Sequence, residues 1–126
     1  MSWNLFKFVI LKRLPRPFEI GKTRCREQKD AFLELKRRGL DVYYYADKKE
    51  CDFIVRQGIR ITDAYQVTLN MANAQTRERE IAGVREAMQA YSLPKGYILT
   101  FEGKETVTFD DGSVVEVIPV WEWMLQ

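Results

Sequence analysis

The amino-acid sequence predicts an α/β protein in which helices flank a mixed central sheet. Three observations lead to this fold class. Apolar residues recur at helical spacing in residues 23–38 and again in residues 74–93. Short runs of β-branched and aromatic residues lie between these two segments. Further runs of this kind follow the second segment. The order helix, three strands, helix and strands is typical of a sandwich built around one sheet.

Length and composition predict a single domain, 1–126. The chain has 126 residues, of which 46% are hydrophobic, so it can bury a core without disulfides or metals. An apolar N-terminal segment with prolines, 1–22, is expected to precede the core of the domain, 23–126. Pro15 and Pro17 favour an extended chain at the boundary between the two parts.

The first helix is expected to begin at Thr23, whose side chain suits an N-cap, and to run to Arg38. Gly39 is the residue expected to end it. Phe32 and Leu35 lie on its predicted buried side. Three strands should follow, and their sequences are DVYYYA (41–46), CDFIVRQ (51–57) and IRITDAYQVTL (59–69).

The middle one of these strands alternates. Phe53 and Val55 are expected on one face of the sheet, and Asp52 and Ile54 on the other.

The second half begins with a helix over AQTREREIAGVREAMQAYSL, which Pro94 and Gly96 are expected to end. Its predicted buried residues share helical spacing: Ile81, Val84, Met88 and Tyr91. Strands are predicted at GYILTF, ETVTF and SVVEVI, and the last two are joined by a hairpin at DDG. Pro119 is expected to open a short final helix that buries Trp121 and Leu125.

Composition points to an intracellular, reduced and cytoplasmic protein. The sequence has no histidine, and Cys25 and Cys51 lack the spacing of metal ligands. We see no cleavable signal sequence. The apolar run WNLFKFVILKRL is too short for a membrane span and contains Lys7, so we expect no membrane partner. As an exposed patch, Trp3 to Leu11 would be an association site, and a homodimer through this segment is one way to cover it.

Charge is distributed unevenly along the chain. Residues 1–40 contain 11 Lys and Arg against 4 Asp and Glu, a balance of +7, whereas the other residues contain 9 against 14, a balance of −5. The basic part could attract a polyanion. It could equally be the solvated outer face of a helix. The residues concerned are Lys22, Arg24, Arg26, Lys29, Lys36, Arg37 and Arg38.

Four polar residues on two neighbouring strands form the candidate site: Glu50, Asp52, Gln66 and Thr68. Residues two apart on a strand face the same side, so each pair projects together. Magnesium prefers hard oxygen ligands, which Asp52, Glu50 and the Val67 carbonyl could supply. Gln66 offers only a neutral oxygen, and Thr68 carries no positive charge. Alternatively, Glu50 lies in a turn and Asp52 accepts backbone hydrogen bonds.

The runs AFLELKRRGLDVYYYADKKECDFIVRQG, YQVTLN, TREREIAGVREAM, GYILTF and VIPVWEWML carry a resemblance over about residues 25–125. They resemble the uncharacterised C-terminal domain of archaeal and bacterial AAA-type ATPases, which is similar to the PD-(D/E)xK nuclease superfamily. This resemblance implies a restriction-endonuclease-like three-layer sandwich. It also implies that Asp52 stands at the position of the metal-binding aspartate. Gln66 stands at that of the glutamate and Thr68 at that of the lysine, while Glu27 or Gln28 matches a glutamate in the first helix.

Two hypotheses about function follow from the resemblance. In the first, the module no longer cuts and binds nucleic acid or a partner protein in an ATPase system, with phosphate contacts from Arg24, Arg26, Lys29 and Arg37. In the second, it is a magnesium-dependent deoxyribonuclease with an altered site. Asp52, Gln66 and the Val67 carbonyl would then hold the metal, and Arg60 or Lys49 would replace the lysine. The chain contains no G-x-x-x-x-G-K-[ST] phosphate loop. It is therefore either a domain excised from such an ATPase or a free-standing relative whose P-loop ATPase partner is encoded elsewhere.

Overall fold

The computed structural model of the protein describes residues 10–13, 26–46, 48–69 and 71–126. Helices separate groups of consecutive strands along this part of the chain. In order they are β1 (Ile10–Arg13), α1 (Arg26–Arg37), β2 (Asp41–Ala46), β3 (Glu50–Gln57), β4 (Arg60–Val67), α2 (Ala74–Ala90), β5 (Lys95–Thr100), β6 (Glu105–Thr108), β7 (Val114–Pro119) and α3 (Val120–Met124).

The strands of the described residues form one seven-stranded sheet with the order β1-β2-β3-β4-β5-β7-β6. The first four strands are antiparallel neighbours. β4, β5 and β7 are parallel to one another, and β6 is antiparallel to β7. The sheet is therefore mixed, as the sequence predicts. The helix α2 connects the parallel strands β4 and β5, while short connections join β2 to β3, β3 to β4 and β6 to β7.

The candidate site lies near one edge of this sheet. We call it the carboxyl edge, because the parallel strands β4, β5 and β7 end there. Pairing places Thr100 beside Pro119 at this edge. The antiparallel strands β1 and β3 begin at the same edge, because Ile10 and Glu50 both lie opposite Ala46. The turn between β3 and β4, which contains Gly58, lies at the opposite edge.

Helices cover both faces of the sheet. On one face, α1 and α3 pack on the sheet through a cluster that contains Phe32, Leu35 and Trp123. On the other face, α2 packs through Val84, Ala87 and Met88. Burying an apolar side chain of this size contributes roughly 1.5–3 kcal/mol, so these two clusters are the main source of stability. The result is a three-layer arrangement with the mixed sheet in the middle.

The predicted faces of β3 follow the same division. Phe53 and Val55 belong to the cluster under α1, and Ile54 belongs to the cluster under α2.

Gly39 ends α1 as predicted. Its φ of 78° is left-handed, a conformation that costs glycine little because it has no Cβ. The Gly39 N–H donates to the Lys36 carbonyl and the Leu40 N–H donates to the Leu35 carbonyl, which is the hydrogen-bond pattern of a Schellman motif. The predicted N-cap, Thr23, lies outside the described residues.

Two predictions about the second half of the chain are wrong. Gly96 does not end α2; it lies inside β5, where a Cβ would come within 2.6 Å of the Met88 Sδ atom, so a larger residue here would force the Met88 side chain to move. The helix itself ends at Ala90. Trp121 in α3 and Leu125 directly after it, both predicted to be buried, are exposed, whereas Trp123 is buried. A five-residue helix buries one side, and its register places Val120 and Trp123 on that side.

The N-terminal segment is described only in part. Ile10 and Leu11 belong to β1 and pair with Ala46 and Tyr45 of the same chain. The remainder of the predicted association segment, Trp3 to Val9, lies outside the described residues. Among the described residues, no helix is both long enough and apolar enough to cross a membrane.

Candidate functional site

The polar residues predicted to form a site lie where β3 and β4 separate near the carboxyl edge. The pairing of β2 with β3 moves from Tyr43 opposite Ile54 to Tyr45 opposite Cys51. Two steps along β2 therefore match three steps along β3, which is a β-bulge around Asp52. A bulge interrupts the regular backbone ladder and changes the direction of a side chain. The backbone here consequently needs hydrogen-bond partners from outside the ladder.

Asp52 and Gln66 supply those partners. The Asp52 N–H donates to the Gln66 Oε1 atom (2.7 Å), and the Val67 N–H donates to the Asp52 Oδ2 atom (3.0 Å). Both side chains are buried, with exposed fractions of 8% and 5%. A buried N–H group that loses its acceptor costs about 1–3 kcal/mol, so this pair stabilises the junction between β3 and β4. We call it the Asp52–Gln66 junction.

The junction bears on two expectations from the sequence. Asp52 and Gln66 lie together on one strand pair, as the candidate site predicts. The alternative is correct in that Asp52 accepts a backbone hydrogen bond, whereas Glu50 belongs to β3 and does not lie in a turn.

A buried thiol lies beside the junction. Cys51 is fully buried, and its Sγ–H donates to the Tyr65 carbonyl oxygen (3.3 Å). Burial is the main cause of a raised pKa for this thiol, and the negative charges of Asp52 and Glu80 raise the pKa further. A thiol in these surroundings stays protonated at neutral pH and is a poor nucleophile. Cys51 therefore packs rather than reacts.

Glu80 is the residue of this region that sequence reasoning missed. It lies on α2 and is only 2% exposed, and its Oε1 atom lies 3.5 Å from the Nε atom of Arg79. Its charge acts on the Cys51 thiol from the helix side. Glu80 stands four residues before Val84, which is buried, and eight before Met88. Helical spacing from the predicted buried residues would have placed this carboxylate on the buried side of α2.

The other predicted site residues lie at different distances from the junction. Thr68 follows β4, is half-buried and donates its N–H to the Leu99 carbonyl (3.0 Å). Glu50 begins β3 at the carboxyl edge, but its side chain lies outside what the structure describes. Of the two candidates for the glutamate in the first helix, Gln28 is more buried than Glu27, so Gln28 is the one on the buried side of α1.

Of the two cations considered as replacements for the lysine, Lys49 lies near the carboxyl edge and is exposed. Arg60 does not lie there. It begins β4 at the opposite edge, seven residues from Val67, which is about 23 Å along a strand. The expectation that Arg60 replaces the lysine is therefore wrong, because Arg60 lies at the other end of β4 from the junction.

The side-chain oxygen atoms at the junction are poorly suited to bind magnesium. The Oδ2 atom of Asp52 and the Oε1 atom of Gln66, two of the predicted ligands, already accept backbone N–H groups. A magnesium ion would compete with those hydrogen bonds, and the thiol beside them is a poor ligand for a hard cation. Among the described residues, no group of three or more His, Cys, Asp or Glu side chains has the geometry to hold a metal ion.

The residues predicted to contact phosphates lie at the start and end of α1. Arg26 is exposed and its Nε atom lies 3.8 Å from the Oδ2 atom of Asp30, and Lys29 is exposed. Arg37 is exposed as well, but it donates two hydrogen bonds to the buried carboxylate of Glu34 (2.9 and 2.6 Å). Arg24 lies outside the described residues. The helix therefore presents cations to solvent, and Arg37 also has a structural contact.

Glu34 joins α1 to α3 through Arg38. The Arg38 Nε atom donates to Glu34 (2.7 Å), its Nη2 atom donates to the Trp123 carbonyl (3.1 Å), and its guanidinium lies 4.7 Å from the centre of the Trp123 ring. The hydrogen bond from Arg37 is the main reason that the pKa of Glu34 falls to about 2, with Arg38 contributing in the same direction. We call this group the Glu34 clasp.

Comparison with known proteins gives no further guide to the site. No protein-family model, no curated protein and no solved structure matches this chain.

Proposed function

We propose that this chain is a nuclease-like module that does not cleave and that binds nucleic acid as an accessory domain of an ATPase system. The observation that carries the proposal is the Asp52–Gln66 junction. Its acid and amide oxygens stand where the resemblance implies a metal site, and they accept backbone N–H groups instead. Asp52 and Gln66 therefore have a structural role at the junction, and this role requires neither a metal nor a substrate.

The architecture supports a restriction-endonuclease-like fold for the module. A mixed sheet lies between helices on both faces, and Asp52 and Gln66 lie on the adjacent strands β3 and β4. The junction also lies near the carboxyl edge. In open α/β sheets, ligands bind outside the carboxyl ends of the strands, so the position suits a former active site.

Exposed cations support the choice of nucleic acid as the partner. Arg26 and Lys29 face solvent on the first turn of α1, and Lys36 and Arg37 lie on its last turn. Lysine and arginine side chains that contact phosphates provide affinity without reading sequence. The ATPase partner is proposed from the resemblance alone.

Cleavage assays test the catalytic part of the proposal. The purified protein, with millimolar magnesium and either duplex or single-stranded DNA, should leave the DNA intact over hours. Asp52→Asn is the informative variant, because an asparagine oxygen can still accept the Val67 N–H while the negative charge is lost. Cleavage by the wild-type protein that Asp52→Asn abolishes, with the fold unchanged, would overturn the proposal.

Salt dependence tests the binding part. Changing Arg24, Arg26 and Lys29 together to glutamine should lower the slope of log affinity against log salt by up to about three units, because each lost phosphate contact removes about one. The matched control changes three exposed cations elsewhere, Lys48, Lys49 and Arg60, to glutamine. Equal slopes for both variants would indicate that α1 does not contact phosphates and would favour a partner protein.

A further inference from the structure

The hairpin of β3 and β4 ends in an exposed isoleucine. Among the large apolar side chains of the described residues, that of Ile59 is the most exposed, with an exposed fraction of 99%. The turn consists of Gly58 and Ile59, and the residues on either side, Gln57 and Arg60, are exposed as well. Gly58 has a φ of 66°, the conformation that glycine adopts at the first central position of type II′ hairpin turns. The tight turn therefore presents Ile59 to solvent at the tip.

Isoleucine is an unusual residue for this position. Turn residues are mostly glycine, proline, asparagine, aspartate and serine, which allow special backbone angles or form hydrogen bonds with the backbone. A side chain that is 99% exposed adds nothing to the core, so the fold does not explain Ile59. Its branched Cβ restricts χ1, which makes the tip stiff before it meets a partner. Single exposed apolar residues are ordinary on protein surfaces, so the surroundings of the tip decide what Ile59 can bind.

The end of α1 brings cations close to the tip. Asp41 pairs with Arg56, which places the beginning of β2, and with it the end of α1, next to the last residues of β3. The Lys36 Nζ atom donates to the carbonyl oxygen of Leu40, just before β2 (3.5 Å). Arg37 is exposed at the same end of α1. Adjacent strands lie about 4.8 Å apart, so these cations and the tip belong to one surface.

The carboxylates of this surface have partners of their own. Asp41 lies 3.3 Å from Arg56, and Glu34 is buried in the clasp. Asp63, three residues after the beginning of β4, accepts a hydrogen bond from the Thr62 hydroxyl (2.7 Å). None of these carboxylates is fully exposed, so the tip keeps a positive potential around it.

The same edge of the sheet is acidic farther along. The turn between β6 and β7 contains Asp110 and Asp111, but three strand spacings, about 14 Å, separate β6 from β4. A polyanion should therefore meet this edge on the side of β2 and β3. On that side the cations outnumber the carboxylates, with Lys36, Arg37, Arg38, Arg56 and Arg60 against Glu34, Asp41 and Asp63.

An apolar tip with cations beside it suits the minor groove of duplex DNA. Proteins that bind there insert an isoleucine, a leucine or a similar side chain between two base pairs, which partly unstacks them and kinks the duplex by about 20–90°. Lysine and arginine residues nearby contact the phosphates that line the groove. A membrane surface suits this tip less well, because one isoleucine buries too little apolar area to hold a protein on a bilayer.

We propose that the tip of this hairpin is a wedge for duplex DNA. Ile59 enters a base step from the minor groove, and Lys36, Arg37 and Arg60 contact the phosphates around it. The inference rests on the proposed function, since it names the form of nucleic acid and the way in which the module holds it. Because Arg60 belongs to the tip, the control variant that includes it should lose about one unit of salt slope, against about three for the α1 variant.

Energy transfer between dyes at the two ends of a short DNA duplex tests the inference. Binding of the wild-type protein should raise the transfer efficiency, because a kink brings the two ends closer together. Ile59→Ser places an ordinary turn residue at the tip, so this variant should bind the duplex and leave it straight. Ile59→Leu keeps an apolar wedge and should still kink the duplex. The matched control is Leu69→Ser, which removes an exposed apolar side chain at the carboxyl edge and should kink the duplex as the wild type does.

A central mismatch in the duplex sharpens the test, because mismatched bases cost less to unstack. The wild type should bind the mismatched duplex about tenfold more tightly than the matched one, and Ile59→Ser should lose this preference. Binding without a kink, or a kink that remains in Ile59→Ser, overturns the wedge and leaves the proposed nucleic-acid binding intact. Absence of any DNA binding overturns both. Anionic lipid vesicles that bind the wild type and not Ile59→Ser, while DNA stays straight, would assign the tip to a membrane instead.

Discussion

Two buried carboxylates of this protein have opposite surroundings. Glu34 on α1 accepts hydrogen bonds from two charged guanidinium groups, those of Arg37 and Arg38. Asp52 on β3 accepts a hydrogen bond from a neutral backbone N–H, that of Val67. Both side chains are under 10% exposed. Burial alone therefore does not determine how a carboxylate contributes to stability. The group that donates the hydrogen bond to the carboxylate determines it.

The two carboxylates therefore form different kinds of contact. The contact of Glu34 depends on charge, and the contact of Asp52 depends on the position of an oxygen atom. The Glu34 clasp depends on ionisation, since its arginine partners attract the charged form and hold the pKa of Glu34 near 2. The Asp52–Gln66 junction needs an oxygen atom at a defined place beside a bulge, and an uncharged oxygen can meet that need. Substitutions that remove charge and keep shape should consequently affect the clasp more than the junction.

Removing the oxygen at the junction should have the largest effect. Asp52→Ala leaves the Val67 N–H buried without an acceptor, so we expect a loss of about 2–3 kcal/mol in the free energy of unfolding. Urea denaturation followed by circular dichroism measures it. Asp52→Asn retains an acceptor oxygen and should lose less than half as much. If the alanine and asparagine variants are equally destabilised, the charge of Asp52 matters and the comparison with Glu34 fails.

Much of the fold follows from local sequence signals. Gly39 ends α1, the alternation of β3 assigns Phe53 and Ile54 to opposite faces, and DDG forms the hairpin between β6 and β7. The errors arise where packing overrides a local rule. Gly96 reads as a helix terminator, but close contact with Met88 requires glycine inside β5.

The site was predictable in position and not in chemistry. Asp52 and Gln66 come together because the strands that carry them, β3 and β4, are neighbours in the sheet. The bulge that gives them backbone partners depends on the register between β2 and β3, which no local pattern encodes. Glu34 gave a misleading signal. It stands among lysines and arginines as a surface residue would, yet it is buried. Its partner Arg38 also contacts Trp123, which lies 85 residues later in the chain.

The Glu34 clasp should show its charge dependence in acid. The folded pKa of about 2 is below the ordinary value of 4.5, so the clasp stabilises the protein above pH 4.5, and this contribution is lost as the pH falls toward 2. Glu34→Gln should remove about 1–2 kcal/mol at pH 7, since the exposed Arg37 lets water screen part of the attraction. Its stability should then fall less steeply than that of the wild type below pH 4.5.

The control for the clasp is Glu78→Gln, which changes an exposed glutamate on α2. This variant should follow the wild-type pH dependence. Urea midpoints at pH 7, 5, 4 and 3 for the three proteins give the comparison. Parallel curves for Glu34→Gln and the wild type would show that the ion pairs contribute no net charge-dependent stability.

The smallest effect should separate the two arginines of the clasp. Arg38→Lys keeps the positive charge but cannot donate to both Glu34 and the Trp123 carbonyl while lying flat on the Trp123 ring, so we expect a loss of about 0.5–1 kcal/mol. Arg37→Lys, at a more exposed position with Glu34 as its hydrogen-bond partner, should lose less than Arg38→Lys does. Double-mutant cycles with Glu34→Gln measure each coupling energy. A greater loss for Arg37→Lys than for Arg38→Lys would show that the contacts of Arg38 with Trp123 add nothing to the ion pair.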